Sequence, residues 1–187
     1  MIKKTLAILA GGKSSRMNYR NKALLSYKNK TFIKHIIDAG KSFEEIIIIS
    51  NNSEIYEEYG IKIVEDIYKD KGPLGGIYSA LLKSKFDKVL CIACDMPLIS
   101  EYTLAKIGEI NLDYDVLIPM VDDRLQPLCA VYSKDIIGNI ENSLINNENK
   151  LQSLIMKLNY KIIDSELNRL DFKNINTEDE YKELDLI

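Results

Sequence analysis

The sequence of 187 residues contains a single histidine and only three cysteines, and both scarcities exclude classes of chemistry. His35 lies within a predicted helix, far from every predicted strand end, so no catalytic role is expected for it. Because Ser14 and Ser15 have no histidine to activate them, nucleophilic hydrolysis of the Ser-His kind is excluded. The odd number of cysteines argues against a disulfide framework and fits a reducing compartment.

Two of the cysteines, Cys91 and Cys94, form a C-x-x-C motif inside an apolar segment. Residues three apart in a strand point to opposite faces of the sheet, so these thiols are not expected to bind one metal or to form one redox pair. We predict that both, together with Cys129, are core residues.

Long apolar runs, strong charge imbalance and low-complexity segments are also missing. No run is long enough to cross a bilayer, and no signal-peptide cleavage pattern is present, so a cytoplasmic protein without membrane contact is expected. A formal net charge of -3 provides no large basic field, and nucleic acid is not expected as a partner. With 46% hydrophobic residues and no repeat or linker, residues 1–187 are predicted to form one domain.

Apolar runs alternate with helical periodicity along most of the chain, which predicts an α/β fold with a mostly parallel sheet and crossover helices. The predicted strands are residues 5–9, 45–50, 62–65, 89–93, 116–120, 128–132 and 161–163. The predicted helices are residues 32–41, 54–59, 75–83, 101–109, 134–144, 151–157 and 178–184. Residues 121–127 are too few for a helical crossover, so they predict an antiparallel excursion or a loop over the carboxyl edge of the sheet.

A glycine pair, Gly11-Gly12, directly follows the first predicted strand, and the cations Arg16 and Lys22 come after it. Taken alone, two glycines after a strand indicate an ordinary turn, and neither the P-loop nor the dinucleotide fingerprint is present. Glycine torsions nevertheless let backbone N–H groups approach a ligand, and two following cations can converge on one triphosphate. We therefore interpret the segment as a site for a nucleotide polyphosphate.

Polar residues follow the next strands as well, at the edge where ligands bind in open α/β sheets. Asn51 follows the second strand, Asp66 the third, and Asp95 the fourth. Asp95 could simply end its strand before Pro97. Facing a triphosphate, however, its carboxylate is what Mg²⁺ requires, and we predict it as the metal ligand.

The order of these pieces resembles the nucleotidyltransferases that activate sugars and cofactors, and within them the molybdenum cofactor guanylyltransferases. The resemblance rests on Leu9-Ala10-Gly11-Gly12, Arg16-Met17, Lys22, Asp66, Gly72-Pro73-Leu74-Gly75-Gly76, Asp95, Gln126-Pro127 and Asn174 to Thr177. It implies a three-layer Rossmann-like nucleotidyltransferase fold with helices on both faces of the sheet. It also implies transfer of GMP from GTP to molybdopterin carrying molybdenum, which gives the guanine dinucleotide and pyrophosphate.

The resemblance assigns roles to particular residues. It implies catalytic roles for Arg16, Lys22 and Asp95, and Mg²⁺ held by Asp95 with Asn176 as a weaker candidate. The nucleotide-binding residues that it implies are Leu9, Ala10, Gly11, Gly12, Lys22, Asn51, Asp66, Gly75 and Asp95. Asp66 is expected to contact the guanine nucleotide at the base or the ribose.

Two other interpretations remain open at this stage. The first is a sister enzyme of the same fold, either a cytidylyltransferase for the same pterin or a sugar-phosphate nucleotidyltransferase. The second is a non-catalytic molybdopterin-binding protein, against which the presence of Lys22 and Asp95 argues. GTP and molybdopterin are the expected substrates, and contact with molybdoenzymes or upstream cofactor-synthesis proteins is a further expectation.

Overall fold

A computed structural model describes residues 1–11, 21–163 and 167–186, and it contains one large β-sheet flanked by helices. The strands are β1 (Ile2–Leu9), β2 (Ser26–Tyr27), β3 (Lys30–Thr31), β4 (Phe43–Ile49), β5 (Lys62–Val64), β6 (Lys88–Ala93), β7 (Val116–Val121), β8 (Arg124–Leu125), β9 (Cys129–Ser133) and β10 (Tyr160–Ile163). The α-helices are α1 (Phe32–Ala39), α2 (Pro73–Lys83), α3 (Glu101–Glu109), α4 (Ile137–Ile145), α5 (Leu151–Ile155) and α6 (Glu178–Glu183).

The large sheet has the order β10-β7-β9-β6-β1-β4-β5, with β8 paired to β7 outside this path. β1 lies in the middle and pairs in parallel with both β4 and β6. β9 runs antiparallel to its two neighbours, β6 and β7, whereas the β4–β5 and β7–β10 pairs are parallel. The predicted mostly parallel sheet is confirmed.

Helices cover both faces of this sheet, as predicted. Along β1, Leu6 and Ile8 pack in one core cluster with residues of α1 and α3. Ala7 and Leu9 point the other way and pack with residues of α2 and α4. Because successive side chains of a strand face opposite sides, an uninterrupted apolar strand fits a sheet that is covered twice. The fold is therefore a three-layer α/β structure.

The helix starts follow local sequence signals. Thr31 caps α1 by accepting a hydrogen bond from the Lys34 N–H, as predicted from its position before the apolar face. Thr177 and Glu180 form a capping box at the start of α6. The Thr177 hydroxyl accepts a hydrogen bond from the Glu180 N–H, and the Glu180 carboxylate accepts one from the Thr177 N–H. These caps fix where the chain leaves each loop and enters a helix.

Residues 121–127 form the predicted antiparallel excursion. A tight hairpin joins β7 to β8, and Asp122 and Asp123 at its tip have positive φ values of 48° and 58°. Positive φ at both central residues is characteristic of a type I′ turn, whose twist matches that of the flanking strands.

Several predicted elements differ from the structure in kind or length. Residues 54–59 form a 3₁₀-helix, Glu54–Tyr59, and the predicted helix 134–144 begins with a 3₁₀ turn, Lys134–Ile136, before α4. The small β2–β3 hairpin was not predicted, because two-residue strands have too few side chains to show a period.

In the part of the chain that the structure describes, no helix combines the length and apolarity needed to span a membrane.

Two helical glycines give opposite predictions for stability. A Cβ at Gly108 in α3 would lie 2.7 Å from Phe43 Cζ and 3.1 Å from Ile2 Cδ1, whereas a Cβ at Gly138 in α4 would meet nothing within 4 Å. Gly108→Ala should therefore lower the free energy of unfolding by about 1–3 kcal/mol through overpacking. The matched change Gly138→Ala should raise it by up to about 1 kcal/mol through helix propensity. Urea denaturation measures both, and equal effects would contradict this packing.

Candidate active site

A cavity of about 670 Å³ opens at the carboxyl ends of β1, β4, β5 and β6, where the sequence predicted the site. Its volume lies in the usual range for pockets that bind small molecules and cofactors. The predicted nucleotide-binding residues that line it are Leu9, Ala10, Gly11, Lys22, Asn51, Asp66 and Asp95. Residues from separate parts of the sequence therefore meet because parallel strands end at one edge.

Three predicted site residues have a different outcome. Gly12 and Arg16 lie outside the described residues, so their roles stay predictions. Gly75 is buried inside α2 and is not part of the cavity wall, which Gly72, Pro73 and Gly76 form instead. That Gly75 borders the nucleotide stays a prediction.

The absence of a side chain at Gly75 leaves room for Asp66. A Cβ at this position would lie 2.6 Å from the Tyr68 carbonyl oxygen and 3.1 Å from Asp66 Oδ1. A side chain here would push against backbone and carboxylate together. The glycine therefore lets the segment after β5 pack directly on α2.

Asp95 follows β6 and forms an ion pair with Lys22. Its Oδ2 lies 3.7 Å from Lys22 Nζ, and the two side chains are 19% and 17% exposed. Burial raises the pKa of the Asp95 carboxyl, and the positive charge of Lys22 opposes that rise. Lys22 itself belongs to a short 3₁₀-helix, Lys22–Leu24, and lines the cavity.

Asn176 lies beside this ion pair. Lys22 Nζ donates a hydrogen bond to its Oδ1 at 2.6 Å, across 154 positions of sequence. The Asn176 backbone N–H donates to Glu180 Oε2, and the N–H of Ile175 donates to the Asp95 carbonyl at 2.9 Å. The C-terminal segment is thus attached to the end of β6, and it brings the predicted weaker metal candidate next to the predicted ligand.

Asp66 lies on another wall of the cavity and is held by several hydrogen bonds. Its Oδ1 accepts from the Tyr68 N–H at 3.2 Å and from the Ser79 hydroxyl at 3.1 Å, and its N–H donates to Asn51 Oδ1 at 3.0 Å. Burial raises the pKa of Asp66, while the hydrogen bonds from Ser79 and Tyr68 oppose the rise. Asn51 therefore acts on Asp66 as well as lining the cavity.

The structure adds residues that the sequence analysis missed. Asn21, Ser50 and Asn52 line the cavity, and each is a direct neighbour of a predicted site residue or strand end. Cys94 lines it too; it packs against the hydrophobic core, as predicted, but it is only partly buried. Its position after the last residue of β6 was the available signal. Cys91 does point to the opposite face and is fully buried, as predicted.

The donor set fits a magnesium ion. Asp95 Oδ1 is buried and has no hydrogen-bond partner among the described residues, an arrangement that a bound cation would relieve. No group of three or more His, Cys, Asp or Glu side chains in residues 1–11, 21–163 and 167–186 could hold a metal alone. Mg²⁺ does not need such a group, since it typically takes one or two carboxylates with phosphate oxygens and water.

The structure is a three-layer α/β domain with Gly11, a lysine and a carboxylate at one edge of the sheet, an arrangement that fits a nucleotidyltransferase. Residues 6–162 match the family described as the MobA-like NTP transferase domain. The chain belongs to this family and, within it, to the molybdenum cofactor guanylyltransferases. The family predicted from the sequence is confirmed.

Relatives and solved structures support this assignment over nearly the full length. The chain is 51% identical to a probable molybdenum cofactor guanylyltransferase of Clostridium perfringens, with 98% of this chain and 97% of the relative covered. It is 35% identical to one named the same way in Flavobacterium johnsoniae, with 97% and 96% covered. The crystal structure of molybdopterin-guanine dinucleotide biosynthesis protein A from Archaeoglobus fulgidus has a TM-score of 0.78 at 25% identity, with 96% of each chain covered.

The hydrogen bond from Ser79 gives a prediction for the pKa of Asp66. Ser79→Ala removes a donor that favours the carboxylate, so the pKa of Asp66 should rise further above its ordinary value and the charged form should appear at higher pH. Carboxyl-detected NMR titration measures the midpoint. The control is Ser84→Ala, whose hydroxyl bonds carbonyl groups at the other end of α2. An unchanged Asp66 midpoint in Ser79→Ala would contradict this assignment of the hydrogen bond.

Proposed function

We propose that the protein transfers GMP from GTP to the terminal phosphate of molybdopterin carrying molybdenum, with release of pyrophosphate. The observation that supports it most directly is the cavity itself. It has a lysine–carboxylate pair on one side and a half-buried aspartate on the other, in a chain that is 51% identical to a probable molybdenum cofactor guanylyltransferase. The first group suits a polyphosphate and the second suits a base.

In the proposed reaction, an oxygen of the acceptor phosphate attacks the α-phosphorus of GTP. A new P–O bond forms, the bond between the α-phosphorus and its bridging oxygen breaks, and pyrophosphate leaves with that oxygen. No protein nucleophile is required. Cys94 is unsuited to that role, because burial and the nearby Asp95 charge raise the pKa of its thiol to about 12.

Lys22 is proposed to neutralise the β- and γ-phosphates and the leaving pyrophosphate. Its ammonium group has two partners in the described site, Asn176 and Asp95, at 2.6 Å and 3.7 Å, and together they aim it at the cavity. Such fixed positive charge stabilises the transition state without reorganisation at the moment of reaction. Arg16 is proposed to act with it, on the strength of the sequence pattern.

Asp95 is proposed to hold Mg²⁺, with Asn176 as a second ligand. When bound there, the ion would supply positive charge to phosphate oxygens at the reacting centre. The buried, unpartnered Oδ1 of Asp95 supports this proposal. The chain's own contribution is to fix the backbone of Asp95 through the hydrogen bond from the Ile175 N–H to the Asp95 backbone carbonyl, while Lys22 pairs with the carboxylate.

Asp66 is proposed to recognise guanine. A carboxylate can accept hydrogen bonds from both N1–H and the 2-amino group of guanine, whereas adenine has neither donor on that edge. Oδ1 already accepts from Tyr68 and Ser79, so the base would use the remaining acceptor capacity, mainly on Oδ2. Because burial raises the pKa of Asp66, guanine binding should weaken on acidification sooner than it would for an ordinary aspartate.

A cytoplasmic location belongs to the same proposal. The three cysteines are free thiols in the structure, which fits a reducing compartment. Contacts with molybdoenzymes or with upstream cofactor-synthesis proteins stay predictions.

The reaction is tested by anaerobic incubation of the protein with Mg²⁺, molybdenum-loaded molybdopterin and each of GTP, CTP, ATP and UTP. We expect a dinucleotide with GTP alone, detected by mass spectrometry together with stoichiometric pyrophosphate. Omission of Mg²⁺ should abolish product. A dinucleotide with CTP would indicate the cytidylyltransferase, whereas tight pterin binding without product would indicate a binding protein.

Lys22→Ala and Asp95→Ala test the assigned roles. Lys22→Ala should lower kcat by about 100-fold or more, because a fixed charge at the leaving group is lost. Asp95→Ala should abolish the activity with Mg²⁺. The matched control is Lys173→Ala, since Lys173 pairs with Glu183 at 3.7 Å, outside the cavity. Wild-type kcat in Lys22→Ala, or activity with Mg²⁺ in Asp95→Ala, would refute these roles.

A further inference from the structure

Tyr56 is a fully buried residue of the 3₁₀-helix Glu54–Tyr59, and its hydroxyl hydrogen-bonds to two residues that line the cavity. The Oη atom accepts a hydrogen bond from Asn21 Nδ2 at 2.9 Å. It also donates toward the Ala10 carbonyl at 3.4 Å, with Asn21 Oδ1 at a similar distance of 3.3 Å. One phenol hydroxyl thus contacts two chain segments that are eleven positions apart in sequence numbering.

Both of these segments line the cavity. Ala10 follows the last residue of β1, and its N–H donates to the Ile49 carbonyl at 3.0 Å. Asn21 caps the helix that contains Lys22, because its Oδ1 accepts from the Ala23 N–H at 3.0 Å. The Tyr56 hydroxyl therefore connects the end of the central strand to the helix that places the Lys22 ammonium group.

Burial raises the pKa of Tyr56 to about 12, so the hydroxyl is neutral and keeps its proton throughout the physiological range. A buried tyrosine with a satisfied hydroxyl is common and can be purely structural. What distinguishes Tyr56 is the identity of its partners, which are both cavity-lining residues. The neighbouring Tyr59 offers the contrast, because its hydroxyl pairs with Thr31 Oγ1 at the start of α1.

We propose that Tyr56 is a positioning residue for the phosphate-binding side of the active site. Through Asn21 and Ala10 it sets the distance between the end of β1 and Lys22, and thereby the affinity for the triphosphate of GTP. This inference rests on the proposed function of the cavity. It concerns only the phosphate side, because the Tyr56 hydroxyl has no contact with Asp66 in the described structure.

The experiment compares Tyr56→Phe with Tyr59→Phe, two changes that each remove one hydroxyl from the same short helix. Competition binding gives the Kd of GTP and the inhibition constant of guanosine, which has the base and ribose without phosphates. Tyr56→Phe should weaken GTP binding by about three- to tenfold, the effect of one neutral hydrogen bond. The guanosine constant should stay at the wild-type value, and Tyr59→Phe should leave both constants unchanged.

Equal loss of GTP and guanosine affinity in Tyr56→Phe would mean general loosening of the fold and would overturn the proposal. Wild-type GTP affinity in Tyr56→Phe would overturn it as well. Failure of the wild-type protein to bind GTP would instead refute the proposed function, so the two failures are distinguishable.

A second variant covers the case in which Tyr56→Phe does not fold. Asn21→Ala removes the partner of the same hydrogen bond and should also weaken GTP binding without changing the guanosine constant. If both single variants fold, the double variant should lose less GTP affinity than the sum of the two single losses, since either change breaks the Asn21–Tyr56 hydrogen bond. Fully additive losses would show that this hydrogen bond does not couple the two side chains, which contradicts the proposal.

Discussion

The buried carboxylate of Asp95 is the charge around which the carboxyl edge of the sheet is arranged. A carboxylate at the end of an apolar strand loses hydration, and burial accordingly raises its pKa. Lys22 compensates for part of this loss, and the unpartnered Oδ1 leaves capacity for a cation. The site therefore contains a buried, partly uncompensated carboxylate charge that a cation such as Mg²⁺ would pair with, and fixed charges of this kind are how preorganised sites contribute to catalysis.

The sheet topology supplies what this arrangement needs. β1 lies between β4 and β6, so Gly11, Asn51 and Asp95 follow the ends of three neighbouring parallel strands. The C-terminal segment then closes the site from outside the sheet. The Ile175 N–H donates to the Asp95 carbonyl, and Asp171 accepts hydrogen bonds from the N–H and hydroxyl of Ser100. The C-terminal segment is therefore hydrogen-bonded at two places to the loop that follows β6. Asn176 is thereby held beside Lys22 although it is remote in sequence.

Gly75, Ser79 and Tyr56 do not line the cavity, but they support its walls from two sides. On one side, Gly75 and Ser79 in α2 give Asp66 space and a hydrogen-bond donor. On the other, Tyr56 and Asn21 connect β1 to the helix of Lys22. Each wall is built on a neighbouring helix, so the geometry of the cavity follows from the packing of helices on the sheet.

The sequence by itself determined the α/β class and most strands and helices, because apolar periodicity is a local feature, and the resemblance of its motifs indicated the family. It also placed Lys22, Asp66 and Asp95 in the cavity, since Lys22 follows the glycine pair and the two aspartates follow apolar strands. Only the tertiary structure decided that Gly75 backs Asp66, that Cys94 lines the cavity, and that Tyr56 reaches Ala10 and Asn21. Those facts depend on which helix packs against which strand end, and contacts between residues distant in sequence leave no periodic pattern in the chain.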